Sequence, residues 1–148
     1  MNVHAGWPPL NLDTLKTILG IPVLAIRWDD AIGLLSRLIA ERRFTKVSFL
    51  NAHNANIAYT DPVFAEALDD FLILPDGIGV DLAAKLLYGS PFPDNLNGTD
   101  FVPAFLQEQL AQALPGARTV LMDSGGHFFP ISRPDAFTAK VAEWVAGL

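Results

Sequence analysis

Three short polar clusters interrupt an otherwise apolar chain, and their residue types could do chemistry. The sharpest is Pro75-Asp76-Gly77-Ile78-Gly79, between an apolar run and a helical pattern. A carboxylate at Asp76 could take a proton from an incoming hydroxyl group. Gly77 and Gly79 leave the backbone bare for close approach, and amide N–H groups at a helix start favour an anion such as a diphosphate. The same residues fit a plainer role, with Asp76 capping the helix and Gly77 making a tight turn. Gly77-x-Gly79 is too short for a dinucleotide fingerprint, which needs a third glycine.

The second cluster is Asn51-Ala52-His53-Asn54. Amide and imidazole groups both donate and accept hydrogen bonds, which suits sugar hydroxyls and nucleobase edges. Asparagines in a polar loop can equally satisfy local backbone. His53 has no second histidine or carboxylate at ligand spacing on one element, so no metal site is expected. The third cluster, Asn97-Gly98-Thr99-Asp100, reads as a loop that lines a site or as a turn with Thr99-Asp100 capping the next helix.

These clusters need elements to hold them. Residues 1–20 carry Gly6, Pro8 and Pro9 and read as an irregular arm. Ile21–Trp28, Lys46–Leu50, Phe71–Leu74 and Arg118–Met122 read as strands. Helices are expected over 30–43, 54–60, from Asp61-Pro62 onward, 78–88, 101–113 and 134–147. Asp29-Asp30 offers a cap and an acidic first turn for the first of these. Strands alternating with helices predict an α/β domain: a largely parallel, Rossmann-like sheet of about four strands with helices on its faces. Ligands of such sheets bind at the carboxyl ends of strands. Both the 51–54 and the 75–79 clusters follow strands, so both border one crevice if those strands are neighbours.

Bulk properties narrow the function classes. The chain has 148 residues, enough for one domain with a sizeable core. It is 51% hydrophobic and 18% charged, a globular composition. The net charge of −6 argues against nucleic-acid binding. With no cysteine, disulfides and thiolate chemistry are excluded. The start lacks the pattern of a signal peptide, and no apolar run reaches the roughly 18–20 residues that span a bilayer. The expected location is the cytoplasm.

Taken together, Asn51-Ala52-His53-Asn54-Ala55-Asn56, Leu74-Pro75-Asp76-Gly77-Ile78-Gly79-Val80 and Asn97-Gly98-Thr99-Asp100 resemble the WecG/TagA/CpsF glycosyltransferases in order and spacing. Ala83-Ala84-Lys85-Leu86-Leu87 agrees as well, and the likeness covers residues 15–112. The resemblance implies transfer of a sugar, of N-acetylmannosamine type or glucose, from a UDP-sugar to a polyprenyl-diphosphate-linked acceptor in cell-surface polysaccharide synthesis. Teichoic acid and exopolysaccharide are typical products. It implies an inverting, metal-independent reaction needing no cofactor, at the inner membrane face, with peripheral membrane contact and self-association among relatives. Asp76 matches the catalytic base, and Asn51 matches an asparagine placed to contact a sugar. His53, Asn54, Gly77, Gly79, Asn97, Gly98, Thr99 and Asp100 would line the sugar and diphosphate site.

Two departures stand out. Some members carry a threonine two residues before the asparagine, where this chain has Phe49. The family also continues well past Asp100 with a second half and a basic appendage, whereas this sequence ends at Leu148. Residues 1–112 therefore read as the glycosyltransferase-like portion, and 113–148 as a strand-plus-helix tail packed on the same domain.

That tail, with Gly125-Gly126-His127-Phe128 and Arg133-Pro134-Asp135-Ala136-Phe137, resembles the end of an α/β-hydrolase, in which His127 would match the triad base. No serine of the chain sits in the G-x-S-x-G elbow that such a base serves. Glycosyl transfer is the leading expectation. A folded remnant that binds a nucleotide sugar weakly, and an esterase, are the alternatives.

Overall fold

A computed structural model of the chain describes residues 14–114 and 134–147. The chain divides into two compact units, Met1–Gln109 and Leu110–Leu148. All four described strands and all three clusters lie in the first.

The first unit begins with a hairpin. β1 (Leu15–Ile18) and β2 (Ile21–Leu24) pair antiparallel, with Ile18 opposite Ile21. Leu19 and Gly20 form the two-residue connection, both at positive φ (48° and 89°). Such a turn matches the natural twist of the strands it joins. It also corrects the reading of residues 1–20 as an irregular arm, since Leu15–Ile18 is a strand.

Helix α1 (Trp28–Ala40) follows and buries Ala31, Ile32, Leu34, Leu35 and Leu38 along one side. It starts two residues earlier than expected. The cap is supplied from far along the chain: the Trp28 N–H donates to Asp94 Oδ2 at 2.7 Å. Asp29 and Asp30 fall inside the first turn, where they oppose the positive end of the helix dipole.

β3 (Lys46–Leu50) and β4 (Phe71–Pro75) form a parallel pair, with Lys46 opposite Phe71 and Leu50 opposite Pro75. Between them run α2 (Ala52–Thr60) and α3 (Pro62–Leu68). α2 begins two residues before the expected start because Asn51 caps it. α3 has Pro62 in its first turn and Asp61 as its cap, the carboxylate accepting from Val63 N (2.9 Å) and Phe64 N (3.2 Å). α4 (Ile78–Tyr88) starts after Gly77 and ends at Gly89, which takes the left-handed conformation of a C-terminal cap at φ 76°.

Of the expected parallel sheet of about four strands, the described residues show one parallel pair. The described strands form two separate pairs, one antiparallel and one parallel. A two-residue connection can only return a strand antiparallel to its predecessor. β2 nevertheless lies beside β4. The expected strand Arg118–Met122, and His127, lie outside the described residues.

Alternation along β2 and β4 sorts the core into two layers. Val23 and Ile73 join Leu50, Ala55, Ala58, Val80 and Ala84 on the side of α2 and α4. Leu24, Leu72 and Leu74 join Leu35, Leu38, Leu96 and Phe101 on the side of α1 and α5 (Gly98–Ala113). Helices thus cover both sides of the strands. Leu74 is fully buried, and each such side chain contributes about 1.5–3 kcal/mol.

The second unit contains the end of α5 and α6 (Pro134–Ala146). α6 carries Phe137, Val141, Trp144 and Val145 at helical spacing, all partly exposed, and a Lys140–Glu143 ion pair at 2.8 Å.

Candidate functional site

The register of β3 and β4 decides the layout of the site. Leu50 and Pro75 end their strands side by side, so Asn51 and Asp76 leave the sheet as neighbours at its carboxyl edge. The Asp76 N–H still donates to the Leu50 carbonyl at 2.9 Å.

The backbone around Asp76 is held on three sides. Pro75 O accepts from Leu96 N at 3.0 Å, Asp76 N is bound to Leu50 O, and Gly77 N donates to Asn95 Oδ1 at 2.8 Å. Gly77 sits at φ 92°, ψ 168°, a region essentially confined to glycine. Its carbonyl starts the helix, accepting from Asp81 N at 3.4 Å. Among the described residues no side chain caps α4, so Asp76 is not the helix cap that its position allowed. The Asp76 side chain is half-buried and has no hydrogen-bond or ion-pair partner among the described residues.

The first-turn amides of Ile78 and Gly79 have no acceptor within the helix, as at any helix start. Gly79 is required by packing: a methyl group on it would lie 2.7 Å from Ala52 Cβ. This contact draws the start of α4 against the start of α2.

Asn51 performs the local role that its residue type allowed. Its Oδ1 accepts from Asn54 N at 2.9 Å, and Asn54 Nδ2 donates to Phe49 O at 3.2 Å. Oδ1 is thereby engaged, while the Asn51 Nδ2 donor has no partner among the described residues. His53 is exposed on the first turn of α2.

The third cluster joins the other two at the same edge. Gly98 packs on the Phe49 ring, where a methyl group would come within 3.0 Å of Cδ2. The cap of α5 is Asn97 rather than Thr99-Asp100: Asn97 Oδ1 accepts from Asp100 N (3.0 Å) and Thr99 Oγ1 (2.7 Å), and Asn97 Nδ2 donates to Asp100 Oδ2 (2.9 Å). These three side chains bond one another, and their contribution to the edge is its shape. Asn95, which sequence reasoning passed over, belongs to this loop and reaches back to Gly77.

A cavity of about 210 Å³ opens beside this edge, lined by Ile18, Ala52, Ala55, Gly79, Val80 and Leu87 among others. It is largely apolar. Ala52 and Gly79 connect its wall to the two turns, but Asn51 and Asp76 are not in the lining. Among the described residues no group of three histidine, cysteine or acidic side chains is placed to hold a metal ion. None of their helices is long and apolar enough to cross a membrane.

The profile of the Glycosyl transferase WecG/TagA/CpsF family matches residues 16–126, well over half of the sequence. The chain belongs to this family. Membership in the WecG/TagA/CpsF family makes it a glycosyltransferase of cell-surface polysaccharide synthesis, a class that uses a nucleotide-sugar donor and a lipid-linked acceptor. The match spans all three clusters and continues through Gly126. The stretch 114–126, which also resembled a hydrolase end, thus falls within the glycosyltransferase match, and His127 lies just beyond it. Among curated proteins, no sequence matches significantly.

Proposed function

We propose that the chain transfers a sugar, of N-acetylmannosamine type or glucose, from a UDP-sugar to a polyprenyl-diphosphate-linked saccharide, with Asp76 as the general base. The acceptor hydroxyl oxygen attacks the anomeric carbon and forms the new glycosidic bond. The bond from that carbon to the UDP oxygen breaks, and UDP leaves with the electron pair. The hydroxyl proton passes to the Asp76 carboxylate. Attack from the face opposite UDP inverts the anomeric carbon. No metal ion takes part in this scheme, as the family resemblance implies.

The observation that carries the reading is the state of Asp76. Its backbone is fixed by Leu50, Asn95 and Leu96, and its side chain is left without a protein partner among the described residues. A carboxylate held in place yet unengaged is suited to receive a proton. The amides of Ile78 and Gly79, which have no acceptor within the helix, suit the donor diphosphate, through the positive end of α4. In this reading the Asn51 Nδ2 donor and the exposed His53 side chain bind sugar hydroxyls. Gly98, packed on Phe49, and the Asn97–Asp100 cap complete the edge of the site. The working location is the cytoplasmic face of the membrane, reached by peripheral contact and with homo-oligomers as the assembled form.

The test is donor binding against turnover. UDP-sugar should raise the melting temperature of both the unaltered chain and Asp76→Ala, while only the unaltered chain should transfer sugar. Transfer that survives in Asp76→Ala would remove Asp76 from the chemistry. Absence of any shift with UDP-N-acetylmannosamine or UDP-glucose would favour a remnant without the reaction.

A further inference from the structure

Asp76 sits in a turn whose form is not self-sustaining. Gly77 lies at φ 92°, ψ 168°, outside the regular wells, and such a residue persists only when its surroundings hold it. Among the described residues no side chain accepts from the first amides of α4 as a capping group usually does. The Gly77 N–H is instead taken by Asn95 Oδ1 at 2.8 Å, from a residue 18 positions along the chain.

Asn95 is itself well anchored. On one side of it, Asp94 Oδ2 accepts from the Trp28 N–H at the start of α1. On the other, Leu96 is fully buried and its N–H donates to Pro75 O at 3.0 Å. Residues 94–96 therefore form a strap tied to α1, β4 and the start of α4. Within it Asn95 is exposed, so its side chain adds little core packing, and its Oδ1 bonds the residue that follows Asp76.

We infer that Asn95 is a positioning residue for the transfer reaction, holding the Asp76–Gly77 turn by accepting the Gly77 N–H. The inference rests on Asp76 as the general base. Asn95 acts through the backbone, fixing the direction in which the Asp76 side chain leaves the sheet edge. It also keeps the first turn of α4 aligned, with the amides of Ile78 and Gly79 side by side.

The experiment compares two variants at this exposed position with the unaltered chain. Asn95→Leu keeps the size and removes the acceptor, while Asn95→Asp keeps an oxygen that can accept from Gly77 N. Transfer is assayed with UDP-N-acetylmannosamine and, in parallel, UDP-glucose, on a polyprenyl-diphosphate-linked acceptor. Loss of one hydrogen bond in the turn should lower kcat about tenfold in Asn95→Leu with donor KM within about twofold, and Asn95→Asp should stay within about threefold of the unaltered kcat.

Amide exchange at Gly77 is read by NMR on the same proteins. It should speed up about tenfold in Asn95→Leu and change little in Asn95→Asp. Unchanged Gly77 exchange in Asn95→Leu overturns the positioning role, whether or not sugar is transferred. So does equal kcat in the two variants. Asp76→Asn, made alongside, separates the two ideas: transfer surviving that change sinks the general-base reading, whereas a dead Asp76→Asn beside a fully active Asn95→Leu sinks only the role of Asn95.

Discussion

The Asp76 N–H donates to the Leu50 carbonyl at 2.9 Å, which makes it the last bond of the parallel ladder and sets Asp76 beside Asn51. One residue later the two chains part, one into α2 and the other through Gly77 into α4. The motifs that stand 25 positions apart in sequence are thereby side by side at the carboxyl edge, where open α/β sheets bind ligands. The family match over residues 16–126 covers this whole arrangement.

Asn51 has two ends, and they can be tested apart. Its Oδ1 caps α2, and its Nδ2 is proposed to meet a sugar hydroxyl. Asn51→Asp retains the capping oxygen and loses the donor, so stability should change by no more than a few tenths of a kcal/mol while transfer weakens. Asn51→Ala loses both and should cost about 0.5–2 kcal/mol of stability as well. Urea denaturation and steady-state kinetics on the two variants check this. Equal stability of both would contradict the cap.

Several of these relationships were legible in the residues alone. The Gly77 and Gly89 punctuation fixes α4 at 78–88, and the apolar runs at 46–50 and 71–74 give β3 and β4 nearly to the residue. The placement of Asn51 and Asp76 directly after strands follows from them, and the register of β3 and β4 makes the two strands neighbours. The missed features are those set at a distance or by rare backbone. The start of α1 depends on Asp94, which is 66 positions away. β1 was hidden because Leu19, a poor candidate for positive φ, occupies a turn position that usually holds asparagine or glycine. Asn95 carried no local signal, since its function is to reach a backbone amide 18 residues back. Alternation of strands and helices points to the parallel pairing that β3 and β4 show, whereas the antiparallel β1–β2 pair is missed because β1 and its short Leu19-Gly20 turn lie in the expected arm.

The approach of α2 to α4 depends on Gly79. In Gly79→Ala the added methyl would meet Ala52 Cβ at 2.7 Å, and helix backbones must separate to relieve it. Overpacking of this kind should cost about 1–3 kcal/mol. Ala52→Gly in the same chain should recover part of the loss, so the double-mutant cycle should give a coupling of about 0.5–3 kcal/mol. Strict additivity would show that the two helix starts do not touch.

Behind the third cluster stands Phe101, buried at 1% exposure. Its ring lies edge-on to Trp28 (5.1 Å between centroids) and Phe49 (6.4 Å) and stacks on Phe105 (6.3 Å). Phe49 in turn carries Gly98. Phe101→Ala should cost about 3–5 kcal/mol and show in the melting temperature. Phe101→Leu, which refills most of the space, should lose much less. A loss below about 1 kcal/mol in the alanine variant would place Phe101 outside a packed core.

In the proposed reaction an unengaged carboxylate at position 76 receives the acceptor proton. The most direct measurement is kcat of Asp76→Asn, a change of one atom that removes the base, alongside the melting temperature of the same protein. Because the Asp76 side chain has no partner to lose among the described residues, the melting temperature should hold. Turnover should fall by about 10²–10⁴-fold. A variant that folds as well as the parent and transfers sugar at the parent rate would remove Asp76 from the role of base.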